Sequence, residues 1–440
     1  MSLRFGTDGV RGLANAELTP EYVLALGRAA GRMLHGDRVL VGRDTRRSGP
    51  AIEAALAAGF AAEGVQVDLL GVLPTPAIAH LSVTEDVPAA VITASHNPFA
   101  DNGVKLFAAG GRKLADDVES GIERELASLG APLRSGRDIG TIGRRGDGLS
   151  TYVEHLTASF PDGLAGRRIV IDAANGAMSQ AAPAVLRALD ADVVVIHAEP
   201  DGSNINADCG ATSPGSLAAA VVDHGAALGL AFDGDGDRLI AVDHLGRVVD
   251  GDRIIALCAL DLRDRGELAG DTVVVTVMTN LGFHRAMERH GLHVVATQVG
   301  DRYVLEALAA GGFSLGGEQS GHIIFTRHSS TGDGLLAGLV LLDLVERSGC
   351  SLAELADDVM SVYPQVLVNV RVAMRHPDIA ELMAGEIAAA EARLGAEGRV
   401  LVRPSGTEPL IRVMVEASTP DVAQDTADEL ASAVTARFAS

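Results

Sequence analysis

The amino-acid sequence predicts an α/β fold: three similar α/β units with mixed sheets, followed by a smaller α+β domain, set around a central cleft. Three observations carry this expectation. Apolar runs rich in Val, Ile and Leu, bounded by Gly, Asp and Asn, alternate with Ala- and Leu-rich stretches of helical period, the pattern of βαβ units. The same order of runs recurs three times. Beyond about residue 365 the texture changes to alternating strands with two helical patterns.

The recurring order begins with a strand: "RVLVGRD" from Arg38, "RIVIDAANG" from Arg168 and "TVVVTVMTN" from Thr272. Helix-forming segments such as "GPAIEAALAAGFAAEG" follow, and then second strands at Val65, Asp192 and Leu292. A third apolar run ends each time in a polar loop: "TASHNP" (Thr93 to Pro98), "DGDGDR" (Asp233 to Arg238) and "GEQSGH" (Gly317 to His322). Short strand-like segments, "GVKLF", "RLIAV" and "HIIF", come after the loops. Parallel α/β sheets bind ligands beyond the carboxyl ends of their strands, so the three loops are expected to share one cleft. The last part carries "QVLVNVRVAM" and "RVLVRPSGTEPLIRVMVEA". Domains are expected at 1–150, 151–250, 251–365 and 366–440, with "SGRDIGTIGRRGDG" (Ser135 to Gly148) as a linker.

A chain of 440 residues is too long for one core. It has no apolar stretch of about 18 residues and no basic-then-apolar start, so neither a membrane span nor a signal peptide is expected and the cytoplasm is the expected location. With 58 acidic and 36 basic residues the net charge is −22, which repels nucleic acid and anionic membranes; neither is an expected partner. The three cysteines, Cys209, Cys258 and Cys350, show no C-x-x-C spacing and read as buried thiols. Lysine occurs only at Lys105 and Lys113; Lys113, beside Arg112, reads as surface.

In "DGDGDR", carboxylates at alternate positions separated by glycines can turn Asp233, Asp235 and Asp237 onto one hard cation, and oxygen-only ligation suits magnesium. A solvated acidic turn is the plainer reading, but three carboxylates at a strand end repel one another without a cation. An EF-hand fails, because the loop's sixth residue is Arg238 and its twelfth His244. In "TASHNP", Pro98 stops the strand, and Ser95 beside His96 is either an activated nucleophile or a turn cap. Lys105, unlike arginine, can exchange a proton when partly desolvated. Glu318 and Ser320 lie on one side of an extended loop and suit neighbouring sugar hydroxyls, with His322 as a proton carrier. Arg403 and Arg412 flank Ser405, Gly406 and Thr407, which together make an oxyanion cradle or else a plain hairpin turn.

Taken in order, "FGTDGVRG", "TASHNPFADNGVKLF", "DGDGDR", "GEQSGH" and "RPSGTEPLIRV" resemble the motifs of the α-D-phosphohexomutase superfamily over the whole chain. With "TVMTNLGF", "VGDRYV" and Gln319, the sequence is most similar to members acting on glucosamine phosphates; relatives acting on glucose or mannose phosphates usually carry methionine at that last position. The resemblance implies interconversion of glucosamine 6-phosphate and glucosamine 1-phosphate, with a phosphosugar as the small-molecule partner. It implies a phosphoserine at Ser95, glucosamine 1,6-bisphosphate as intermediate and activator, and magnesium held by Asp233, Asp235, Asp237 and an oxygen of the phosphoserine. By motif, Arg11, Lys105, His96 and His322 serve proton transfer and steady the moving group, and Arg238 lies beside the metal. Glu318 and Ser320 hold the sugar. Arg403, Ser405, Gly406, Thr407 and Arg412 grip the phosphate that is not reacting. A homodimer is compatible with this resemblance. Rival readings are phosphomannomutase or phosphoglucomutase activity, a metal-dependent phosphatase, and a non-enzymatic sugar-phosphate sensor.

Overall fold

The computed structural model describes residues 3–6, 8–130, 134–160, 162–164, 166–405 and 409–438. They form two compact units: residues up to 278 together with 292–357, and residues 279–291 together with 358–440.

Three sheets make up the first unit, and each contains the same arrangement. In the first, Arg38–Arg43 lies between Gln66–Val72 and Ala89–Ile92, parallel to both, and Ala89–Ile92 pairs antiparallel with Asp101–Ala108. In the second, Arg168–Asp172 lies between parallel partners Asp192–Ile196 and Leu228–Phe232, and the latter pairs antiparallel with Leu239–Asp243. In the third, Thr272–Thr276 lies between His293–Thr297 and Leu315–Gly317, which turns antiparallel to Ile323–Phe325. The expected mixed sheets are therefore present. Strands Ala89–Ile92, Leu228–Phe232 and Leu315–Gly317 are buried along their whole length, which explains their unbroken apolar runs. Each ends at a reversal whose connecting loop is one of the three polar motifs.

Local signals agree with the elements. Thr19 caps the helix Pro20–Met33 by accepting the Tyr22 N–H at 3.2 Å, with Pro20 in its first turn. The helix Gly49–Ala62 also has a proline in its first turn, and the chain leaves it through Gly64 at φ +91°.

Two expectations change. Ile142–Arg144, inside the expected linker, is an edge strand parallel to Gln66–Val72. Its three residues are exposed, so its ladder rather than an apolar pattern holds it, and no periodicity marks it. Cys350 is exposed, whereas Cys209 and Cys258 are buried.

The second unit has a three-stranded antiparallel sheet, with Leu410–Glu416 between Gln365–Arg371 and Arg399–Pro404. The helix Pro420–Phe438 contributes Ala427, Leu430 and Val434 to a core with Val400, Val413 and Val415. The helix Leu281–Arg289 belongs to this unit: Leu281 N–H donates to Glu416 Oε2 at 3.1 Å, and Asn280 exchanges two hydrogen bonds with the Tyr363 backbone at 2.9 and 3.0 Å. Among the described residues, no helix is long and apolar enough to cross a membrane.

Candidate active site

The three reversals of the first unit bring their loops together. Ser95 Oγ donates to Asp233 Oδ2 at 2.5 Å, and both residues are buried. Ser95 holds a left-handed backbone at φ +51°, which costs a non-glycine residue roughly 1–2 kcal/mol. The surroundings hold it there. Its N–H donates to Thr93 Oγ1 at 2.9 Å, and Thr93 Oγ1 donates to Asp44 Oδ2 at 2.8 Å. Its carbonyl accepts from Arg46 Nη2 and from Asn206 Nδ2, both at 2.9 Å. Gly234 lies against the same carbonyl, which a Cβ there would approach to 2.6 Å.

Arg46 is the clamp of this loop, and sequence reasoning missed it. Fully buried beside Asp44, its guanidinium donates to the carbonyls of Ser95, Asn97, Pro98 and Asp101. Only the planar fork of arginine reaches so many acceptors from one side chain. Arg46→Lys keeps the charge against Asp44 but has one nitrogen for four carbonyls. We expect it to lower kcat by about 10–100-fold through misplacement of Ser95, with KM nearly unchanged; steady-state kinetics on the purified variant checks this.

Asp233, Asp235 and Asp237 are buried, and one oxygen of each lies within 4.8 Å of the others. Burial, then Asp237 and Asp235, pushes Asp233 well above the usual carboxylate range. Asp237 is held well below it: burial opposes this, but Lys105 and then His322 outweigh burial. Asp235 Oδ1 and Asp237 Oδ1 are buried without a hydrogen-bond partner among the described residues. Three crowded carboxylates with free inward oxygens and no sulfur donor fit a hard divalent cation.

Lys105 is buried amid carboxylates, its Nζ 2.8 Å from Asp235 Oδ2, 3.0 Å from Asp237 Oδ2 and 2.9 Å from Asp8 Oδ2. Burial works against its charge, yet these three raise its pKa well above the ordinary value. Lys105 is therefore a fixed ammonium here, not the easily deprotonated lysine anticipated from partial desolvation. Thr75 also grips Asp235, with Oγ1 donating to Oδ2 at 2.7 Å. Lys113 is not on the surface: it bridges Asp8, at 3.0 Å, and Asp301. The neighbouring Arg112 suggested an exposed pair, but the side chains of successive strand residues point to opposite faces.

Arg11 pairs with Asp8, and its Nε is buried with no partner among the described residues. They flank Gly9, whose φ of +82° and approach to the Val104 carbonyl, 2.3 Å from where a Cβ would sit, require glycine. His96 Nδ1 lies 3.3 Å from Ser95 Oγ. Burial, then Arg238 and Arg11, lowers its pKa to about 4, so it is neutral.

His322 Nε2 accepts the Gly332 N–H at 3.2 Å, which leaves the ring proton on Nδ1, 3.7 Å from Asp237 Oδ1. Burial opposes its charge, but Asp237 raises its pKa overall. Arg238 donates its backbone N–H to Asp233 Oδ1 at 3.2 Å, and its Nε lies 3.9 Å from Asp237 Oδ1. The third loop is tied to the second by Leu239 N–H donating to the Gly321 carbonyl at 3.0 Å. Glu318 Oε1 accepts the Gly300 N–H at 3.1 Å, while Ser320 is exposed. Gln319 turns its amide to Asp250 Oδ2 at 3.5 Å.

Within the second unit, Arg403 and Arg412 stand directly opposite each other on adjacent strands. Burial and then Arg412 lower the Arg403 pKa, and the Nε atoms of both are buried without a hydrogen-bond partner among the described residues. Two facing guanidiniums with spare donors suit an oxyanion. Ser405 is buried beside them, whereas Gly406 and Thr407 lie outside the described residues.

The chain matches four domains described as phosphoglucomutase/phosphomannomutase α/β/α domains I, II and III, over residues 2–131, 150–246 and 250–363, and the C-terminal domain over 367–433. A phosphoglucosamine mutase of Frankia alni is 54% identical over 450 residues, covering 99% of both chains. One from Rhodococcus jostii is 52% identical over 445 residues, again covering 99% of each. A solved phosphoglucomutase/phosphomannomutase family protein from Burkholderia thailandensis superposes with a TM-score of 0.82 at 25% identity, covering 99% of each chain. The chain thus belongs to the α-D-phosphohexomutase superfamily and, within it, groups with the phosphoglucosamine mutases.

Proposed function

We propose that this chain is an isomerase that interconverts glucosamine 6-phosphate and glucosamine 1-phosphate in the cytoplasm, through a phosphate carried on Ser95 and a glucosamine 1,6-bisphosphate intermediate. The contact of Ser95 Oγ with Asp233, inside the buried aspartate triad, is the observation that carries the reading. The amino sugar follows from the relatives named phosphoglucosamine mutase at 52–54% identity.

Residues 1–150 would present the serine, 151–250 the metal loop, 251–365 the sugar loop and 366–440 the phosphate cradle. Asp233, Asp235 and Asp237, with an oxygen of phosphorylated Ser95, would hold magnesium, which when bound neutralises charge on the phosphoryl oxygens. In the first half-reaction the O–P bond at Ser95 breaks as one forms to the free sugar hydroxyl, which loses a proton while the serine oxygen gains one. In the second, the O–P bond at the other sugar position breaks as one re-forms at Ser95, and the proton moves the opposite way. His96, neutral and beside Ser95 Oγ, is the group at hand to take up and return the proton, and Lys105, held protonated, steadies the charge on the moving phosphoryl group. Arg11 and Arg238, each with a buried Nε that makes no hydrogen bond among the described residues, steady the moving group. His322, with its Nδ1 3.7 Å from Asp237 Oδ1, serves as a proton carrier beside the triad. Glu318 and Ser320 hold the sugar, and Arg403, Ser405, Gly406, Thr407 and Arg412 take the phosphate at rest.

Turnover of glucosamine, mannose and glucose 6-phosphates, with intact-mass analysis of the resting protein, tests the proposal. The expected result is preferred turnover of the amino sugar and one phosphate on the chain. Turnover of the neutral sugars without the amino sugar would move the assignment to a phosphomannomutase or phosphoglucomutase, and release of inorganic phosphate in step with substrate loss to a phosphatase.

A further inference from the structure

A second cluster of ligand-type side chains lies beside the second sheet. Asp172 ends the strand Arg168–Asp172, His197 follows the adjacent strand Asp192–Ile196, and Cys209 precedes the turn Gly210–Thr212. One donor atom from each lies within 4.8 Å of the other two. Asp172 is fixed: Oδ1 accepts the Ala174 N–H and Oδ2 the Gly210 N–H, each at 2.9 Å. A carboxylate has about four lone-pair sites, so acceptor capacity remains.

His197 Nδ1 is buried and sits 3.0 Å from Asp172 Oδ2, yet it makes no hydrogen bond among the described residues. Its ring is thus aimed at the carboxylate without the alignment a proton between them would require. Cys209 is fully buried, and its sulfur meets Asn175 Nδ2 only in a long 4.0 Å contact. An imidazole nitrogen and a thiol, each short of a strong partner, converge with an anchored carboxylate on one point.

We propose that Asp172, His197 and Cys209 form a second cation site, for a thiophilic divalent ion such as zinc. Thiolate and imidazole select such ions over magnesium, so this site and the all-oxygen triad differ in the metal they choose. The His197 side chain is 32% exposed, which leaves an entry path and a fourth position for water. Binding releases the Cys209 proton to solvent as the sulfur–metal bond forms, so affinity rises with pH. The site also neighbours the catalytic loop: Asn206, three residues before Cys209, donates to the carbonyls of Ser95 and Asn97 at 2.9 and 3.2 Å. Local spacing could not have revealed it, because the three residues come from separate segments.

Cobalt(II) titration of the full chain in excess magnesium tests this, because only sulfur ligation gives a near-ultraviolet thiolate-to-cobalt band. One equivalent should produce the band in the wild type and in Cys350→Ser, and none in Cys209→Ser. His197→Asn, at a partly exposed position where folding is not at stake, should weaken cobalt binding at least about tenfold. Absence of the band from the wild type, its persistence in Cys209→Ser, its loss in Cys350→Ser, or unweakened binding in His197→Asn would each overturn the proposal.

Discussion

Ser95→Ala is expected to lower kcat by at least about 10,000-fold, the scale lost when the atom that carries the transferred group is removed. The physical basis is narrow. Phosphoryl transfer is mostly positioning and neutralisation of charge, and Ser95 Oγ is held 2.5 Å from Asp233 Oδ2 of the triad. The variant should still fold, because the clamp on this loop acts through the Ser95 carbonyl and N–H, which alanine keeps. Intact mass should show no phosphate on the chain, and a coupled assay no conversion. Retention of wild-type turnover would exclude both the phosphoserine mechanism and the role given to the triad.

Lys105→Met is expected to cost about 3–5 kcal/mol of stability in the absence of magnesium, because it leaves buried carboxylates without their cation. In the wild type, Asp8 and Asp237 are held below the ordinary carboxylate value of 3.8. Burial raises both, and Lys105 is the largest influence lowering them. Their contribution is therefore present above pH 3.8 and lost as pH falls through their lowered values. Lys105 itself, raised above 10.5, contributes below that pH and loses its contribution only as pH rises through its raised value. Between these limits the pairing of Lys105 with Asp8 and Asp237 changes little.

In Lys105→Met the sign reverses. Burial and mutual repulsion now push the remaining carboxylates up, so the folded state binds more protons than the unfolded chain, and stability rises as pH falls toward their raised values. Added magnesium should raise the Tm of the variant more than that of the wild type, since the triad is left with more uncompensated charge. Loss of this fixed positive charge beside the moving group should also lower kcat by about 100–1,000-fold. Thermal melts across pH, with and without magnesium, check the charge argument independently of activity. A variant that loses stability on acidification and ignores magnesium would show that Lys105 does not compensate these carboxylates.

Much of this site was legible in the chain because its chemistry is carried by short loops. "TASHNP", "DGDGDR" and "GEQSGH" each follow an apolar run that has no other way to end, and the repeat of strand, helix and strand before them requires equivalent positions in three sheets. What could not be read are the partners supplied by other segments. Arg46 sits in "GRDTRRSG", where three arginines look alike; only packing shows that one of them is buried and grips four carbonyls. Asn206 and Thr75 lie in segments with no catalytic signature, yet they hold Ser95 and Asp235.

Sequence alone thus determined the fold class, the family and which loops hold the chemistry, since apolar periodicity and the order of motifs are local properties of the chain. Tertiary structure decided the charge state of Lys105, the burial of Lys113, the left-handed clamp on Ser95 and the meeting of Asp172, His197 and Cys209. Those are set by distance and desolvation between residues far apart in the chain, and a linear reading carries neither quantity.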